Sequence, residues 1–132
     1  MLFKQRLFRL IYYWIPPFIW MLFIFSLSAK SNIGTTQSYI YDFIIFKTLH
    51  IIEYAVLYFL FLRAFRTLSL SLRKQFIFAA VCSLMFAVSD EIHQLFTATR
   101  QGKIQDVFID LIGIIIMYGI VKKNLKFFKR FI

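Results

Sequence analysis

Four long apolar runs, broken by short polar or basic stretches, set the pattern of the chain. They cover about Leu10–Leu27, Phe43–Phe65, Phe76–Phe96 and Val107–Val121. A hydrocarbon core about 30 Å thick needs roughly 20 mostly apolar helical residues. Each run meets that length, the fourth when it is extended from Ile104. The pattern therefore predicts an all-α polytopic membrane bundle of four transmembrane helices, forming a single domain over residues 1–132. Pro16-Pro17 falls in the first run, where it should kink the helix or mark its first wide turn. Lys4, Arg6 and Arg9 before an apolar stretch resemble a signal peptide, but the run is longer than the usual 7–15 residues of such a region (about that range). An uncleaved first helix is expected.

Composition agrees. Of the 132 residues 61% are hydrophobic, and the mean hydropathy is +0.73, whereas a soluble domain is about 45–50% apolar. The single cysteine, Cys82, excludes an intrachain disulfide. A net charge of +10 would suggest nucleic acid in a soluble protein. Here the basic residues flank apolar runs, so membrane topology explains them and no nucleic-acid partner is expected.

Lys and Arg are distributed unevenly between the two sides. The N-terminal tail, the connection between the second and third runs, and the C-terminal tail hold twelve, while the other two connections hold three: Lys30, Arg100 and Lys103. The positive-inside rule then predicts that both termini face the cytoplasm.

That orientation gives the ionisable residues a common depth. Lys47, His50 and Glu53 fall in the outer half of the second helix. Asp90, Glu91, His93 and Gln94 close the third, and Asp106 and Asp110 open the fourth. Phe76 to Asp90 is about 21 Å at 1.5 Å per residue, which sets Asp90 roughly 9 Å below the outer boundary. All six acids and both histidines are thus expected near the outer face, around a polar pocket opening to the extracytoplasmic side. Spacing supports convergence. Lys47, His50 and Tyr54 share a helix face, Asp90 and His93 lie one turn apart, and Asp106, Asp110 and Gly113 line one stripe. Gly113 would let a neighbouring helix approach closely. Charges inside a span cost several kcal/mol (about 2.5 or more) unless they face the bundle or water. Such residues can also serve only to tie helices together, at about 1 kcal/mol each. Eight of them at one depth favour a functional site.

Ser89-Asp-Glu-Ile-His-Gln94, Arg100, and Asp106-Val-Phe-Ile-Asp-Leu-Ile-Gly113 together resemble the VanZ-like family of small bacterial membrane proteins. Phe46-Lys-Thr-Leu-His-Ile-Ile-Glu-Tyr54 resembles that family's element on the second helix, and Ser26 and Ser28 resemble its serines after the first. Phe46 stands where an acid often precedes the lysine, and Asp110 where Asn is common. The resemblance implies a multi-pass protein of the bacterial cytoplasmic membrane with a role in the cell envelope, the family's founding member being linked to teicoplanin resistance. It also implies action on phospholipid or polyprenyl-phosphate headgroups.

Two classes of function fit these residues. In the first, an enzyme cleaves or transfers a lipid-linked phosphate headgroup at the outer leaflet. His93 or His50 is nucleophile or general base, oriented by Asp90 and Glu53. Glu91 or Asp110 is the general acid. Arg100, with Lys103 or Lys47, neutralises phosphate charge, and Gln94, Asp106 and Tyr54 complete the substrate contacts. In the second, the same cluster binds or shields a lipid or cell-wall precursor without turnover. A small transporter or flippase is disfavoured, because the inner half offers no acid or histidine for a relay. His50, Glu53, Asp90 and His93 could supply zinc or manganese ligands. Hydrogen-bonded pairs explain the same residues, so no metal site is assigned and the sequence requires no cofactor.

Overall fold

A computed structural model describes residues 2–29, 39–96 and 104–128. It is all-helical in these parts. The helices are α1 (Leu2–Ser28), α2 (Tyr39–Phe65), α3 (Leu72–Leu95), α4 (Ile104–Lys123) and a one-turn α5 (Leu125–Phe128). The first four are long and apolar enough to cross a membrane, over Leu7–Ser28, Phe43–Phe65, Leu72–Leu95 and Ile104–Lys123. Three of these spans start earlier than the hydropathy pattern suggests, because the polar residues Arg73, Lys74, Gln75, Gln105 and Asp106 are helical too. Counted from Leu72, Asp90 lies about 27 Å along α3, closer to the helix's far boundary than the shorter run implied. α5 has no counterpart in the pattern of runs.

The burial pattern is inverted with respect to a soluble protein. Large apolar side chains such as Phe8, Leu22, Met85 and Phe108 are exposed, while Asp90, Asp110, Glu91 and Gln94 are buried. A soluble chain buries charged groups only rarely, and a membrane chain turns its polar groups inward for want of water outside. The α2 helix is the axis of the bundle: it packs against α1, α3 and most extensively α4. Its Tyr54, Leu57, Tyr58, Phe61 and Leu62 form the centre of the core.

Helix α3 meets the bundle through Gln75, Ala79, Ser83, Ala87 and Glu91, all buried. These positions recur every four residues and so form one stripe. Small side chains in its middle permit close packing of backbones, and its ends are polar. The stripe delivers Glu91, with Asp90 and Gln94 beside it, to the interior.

Helix α1 remains helical through Pro16 and Pro17, and Pro17 is buried. Two indole donors fix it against the neighbouring elements. Trp14 Nε1 donates to Thr67 Oγ1 at 3.2 Å, and Trp20 Nε1 donates to the Glu53 carbonyl at 2.9 Å. The second bond holds α1 at the level where the polar residues of α2 begin.

Candidate functional site

The α2–α4 seam is set by one contact. A Cβ on Gly113 would stand 2.3 Å from the Ile51 carbonyl oxygen, so the two backbones touch where only glycine fits. Toward the polar end, one residue back on α2 and one turn back on α4, His50 Nδ1 lies 2.9 Å from Asp110 Oδ1. One turn further, Lys47 Nζ pairs with Asp106 Oδ1. The partners advance together along both helices: 47 with 106, 50 with 110, 51 with 113. Close approach of the backbones thus brings two polar pairs into register, the inner one more enclosed than the outer.

Across the seam, α3 adds Asp90, Glu91, His93 and Gln94. Gln94 Nε2 donates to Asp90 Oδ2 at 3.1 Å and reaches Glu91 Oε1 at 3.4 Å. Asp90 is 1% exposed and lies within electrostatic reach of both His50 and His93. The Ser28 hydroxyl of α1 lies close to Asp90, outside full hydrogen-bond geometry. The His93 ring stacks on Phe25 of α1, with centroids 4.0 Å apart. Tyr54 of α2 is fully buried, and its hydroxyl is within electrostatic reach of Asp110, Asp90, Glu53 and Glu91.

Four polar atoms in this region are buried and have no hydrogen-bond partner among the described residues: Ser28 Oγ, Tyr54 OH, Asp90 Oδ1 and His93 Nδ1. They come from three helices, with Ser28 close to Asp90 and with His93 and Tyr54 within its electrostatic reach. Burying an unpaired polar group costs about 1–3 kcal/mol; Tyr58 OH, Arg63 Nε and Gln75 Oε1 are in the same condition toward the other end of the bundle.

The arrangement changes which groups pair. The spacing within helices suggests Glu53 as the orienting partner of His50, and Asp90 as that of His93. The structure gives His50 the Asp110 carboxylate instead, where the close contact of α2 with α4 brings the two side chains together. Glu53 remains within electrostatic reach of His50. His93 Nδ1 bonds no described residue, and Phe25 fixes the ring. Lys47, expected to meet phosphate, is held by Asp106. Arg100 and Lys103 lie outside the described residues. In the neutral ring, donation from Nδ1–H to Asp110 would leave Nε2 of His50 without a proton.

Among the described residues no three His, Cys, Asp or Glu side chains converge in a way that would hold a metal ion. Ser28, Phe25 and Trp20 are the residues of the site that a search for ionisable groups passes over. Ser28 was visible only through its place after the first run, and the other two carried no signal that set them apart from lipid-facing aromatics.

A model of the VanZ/LLP1 family matches residues 3–129 of the chain, nearly its whole length. No curated protein and no solved structure matches it.

Proposed function

The chain belongs to the VanZ/LLP1 family, and from that membership and the cluster around Asp90 we propose that it receives the headgroup of a lipid-linked phosphate at the outer leaflet of the bacterial cytoplasmic membrane. The ligand class is a phospholipid or a polyprenyl-phosphate cell-wall precursor. Both termini face the cytoplasm in this proposal, which rests on the twelve-to-three distribution of Lys and Arg. The observation that carries it is the set of four buried, unpartnered polar atoms on three helices. Hydroxyls, amides or sugar oxygens of a headgroup would satisfy Ser28, Tyr54, Asp90 and His93. The negative charge of a phosphate would fall to Arg100 and Lys103, since Lys47 already has Asp106.

Where the bound headgroup is turned over, His50 takes a proton at Nε2 from the attacking hydroxyl while Asp110 holds Nδ1–H. The hydroxyl oxygen bonds to phosphorus, the P–O bond to the departing group breaks, and Glu91 gives that oxygen a proton. His93 contacts the headgroup or acts as nucleophile. A second reading, binding without turnover, is favoured by a specific observation: Lys47 and His50 both tie α2 to α4, a structural use of groups that chemistry would need.

Purified protein in vesicles of headgroup-labelled lipid separates the two. Release or exchange of label that is lost in both His50→Ala and His93→Ala supports turnover. Binding of lipid that weakens in His93→Ala, with no product from any form, supports the holding role. Binding and product both unchanged in His93→Ala would overturn the site.

A further inference from the structure

At the end of the bundle opposite Asp90, α3 and α4 part to form a groove of about 720 Å³. Ile77 and Ala80 line one wall, Ile114 and Ile115 the other, and the buried ring of Tyr58 closes it from behind. Arg73 and Lys122 line its mouth, one from each wall. Both cations are exposed, and Lys122 Nζ lies 5.3 Å from the Tyr118 ring centre.

The dimensions and charges of this groove specify an occupant. Along α4 it runs from Leu111 to Lys122, about 16 Å at 1.5 Å per residue, or roughly half of a 30 Å hydrocarbon core. It is therefore one leaflet deep, lined mostly by apolar side chains with Tyr58 and Tyr118 among them, and carries its cations at the end where a headgroup would sit. Basic pockets between transmembrane helices are suited to anionic lipid heads, and paired cations can share one phosphate.

We propose that this groove is a binding site for one anionic phospholipid, with an acyl chain between α3 and α4 and its phosphate between Arg73 and Lys122. The lipid would cover the exposed Ile77 and Ile115, and so brace α3 against α4 at the end remote from the polar cluster. This site is separate from the one that receives a headgroup at Asp90. Lipid lost from one need not be lost from the other.

The test uses the full chain in mild detergent, with phosphatidylglycerol and phosphatidylcholine offered at equal concentration and retained lipid read by native mass spectrometry. The wild type should retain one phosphatidylglycerol at least ten-fold in preference to phosphatidylcholine. R73Q/K122Q should bring that preference close to unity, while K74Q/K126Q, which removes the same charge outside the groove, should keep it. Ala80→Phe should reduce retention of both lipids by filling the groove. If K74Q/K126Q loses as much preference as R73Q/K122Q, diffuse surface charge does the binding and the proposal fails. Ala80→Phe with unchanged retention, or a second copy of the chain retained in place of lipid, would also overturn it.

Discussion

Gly113 and Ile51 meet backbone to backbone, with no room at Gly113 for even a methyl group. Gly113→Ala should therefore push α4 from α2 and destabilise the bundle by about 1–3 kcal/mol, the usual range for overpacking a tight contact. A Cβ at Gly119 meets nothing within 4 Å, so Gly119→Ala should be neutral or slightly stabilising, since alanine is the better helix former by about 1 kcal/mol. Unfolding of the two variants in mixed micelles makes the comparison. Equal stabilities would contradict a contact-limited seam. Because the same contact sets both polar pairs in register, Gly113→Ala should also weaken headgroup binding, and Gly119→Ala should not.

The two polar pairs of the seam should differ in strength. His50–Asp110 is the more enclosed, with the Asp110 side chain 1% exposed, whereas Lys47 and Asp106 are 21% and 13% exposed. Removing one member of an enclosed pair leaves the other unsatisfied, which costs about 1–3 kcal/mol, while solvent-reachable pairs contribute about 0–1 kcal/mol. Asp110→Ala should thus destabilise more than Asp106→Ala. Asp110→Asn, which retains a carbonyl oxygen for His50, should recover most of the loss. A double-mutant cycle on His50 and Asp110 should show a coupling of about 0.5–3 kcal/mol; additive losses would mean that the two do not act as a unit.

The pattern of apolar runs made the four helices legible, because about 20 apolar residues in succession leave a membrane span as the natural structure. Depth made the polar cluster legible. Acids and histidines cannot lie in lipid unpaired, and counting residues brings Asp90, His50 and Asp110 to one level. What spacing within a helix does not reveal is the partner on another helix. His50 and Glu53 are neighbours by periodicity, yet Asp110 wins because Gly113 removes the side chain that would otherwise hold α4 away. The recurrence of Ala79, Ser83 and Ala87 was equally present in the chain. Attention to ionisable residues alone misses that a stripe of small ones is what seats α3.

Orientation can be tested independently of any ligand. In a Cys82→Ala background, a cysteine placed at Ser69, in the turn between α2 and α3, should resist a membrane-impermeant maleimide applied to whole cells. The turn is flanked by Arg63, Arg66, Arg73 and Lys74, and the positive-inside rule assigns it to the cytoplasm. A cysteine at Thr97 should react from outside, and both should react once the membrane is opened. Labelling of the Ser69 position alone in intact cells would invert the proposed topology and put the Asp90 cluster at the inner face.

Tyr54 offers the sharpest separation of structure from function. Its ring is fully buried, and its hydroxyl bonds no described residue although four carboxylates lie within electrostatic reach. A hydroxyl buried without a partner destabilises the protein that carries it, by about 1–3 kcal/mol where desolvation is complete. Tyr54→Phe removes that group and keeps the ring that packs in the core. The variant should be as stable as the wild type or up to about 1 kcal/mol more stable, yet bind the labelled headgroup at least ten-fold more weakly. If the hydroxyl were there only to hold the bundle together, the order would reverse, with stability falling and binding following it in proportion. Paired measurements of unfolding in micelles and lipid retention on the same preparation decide between the two.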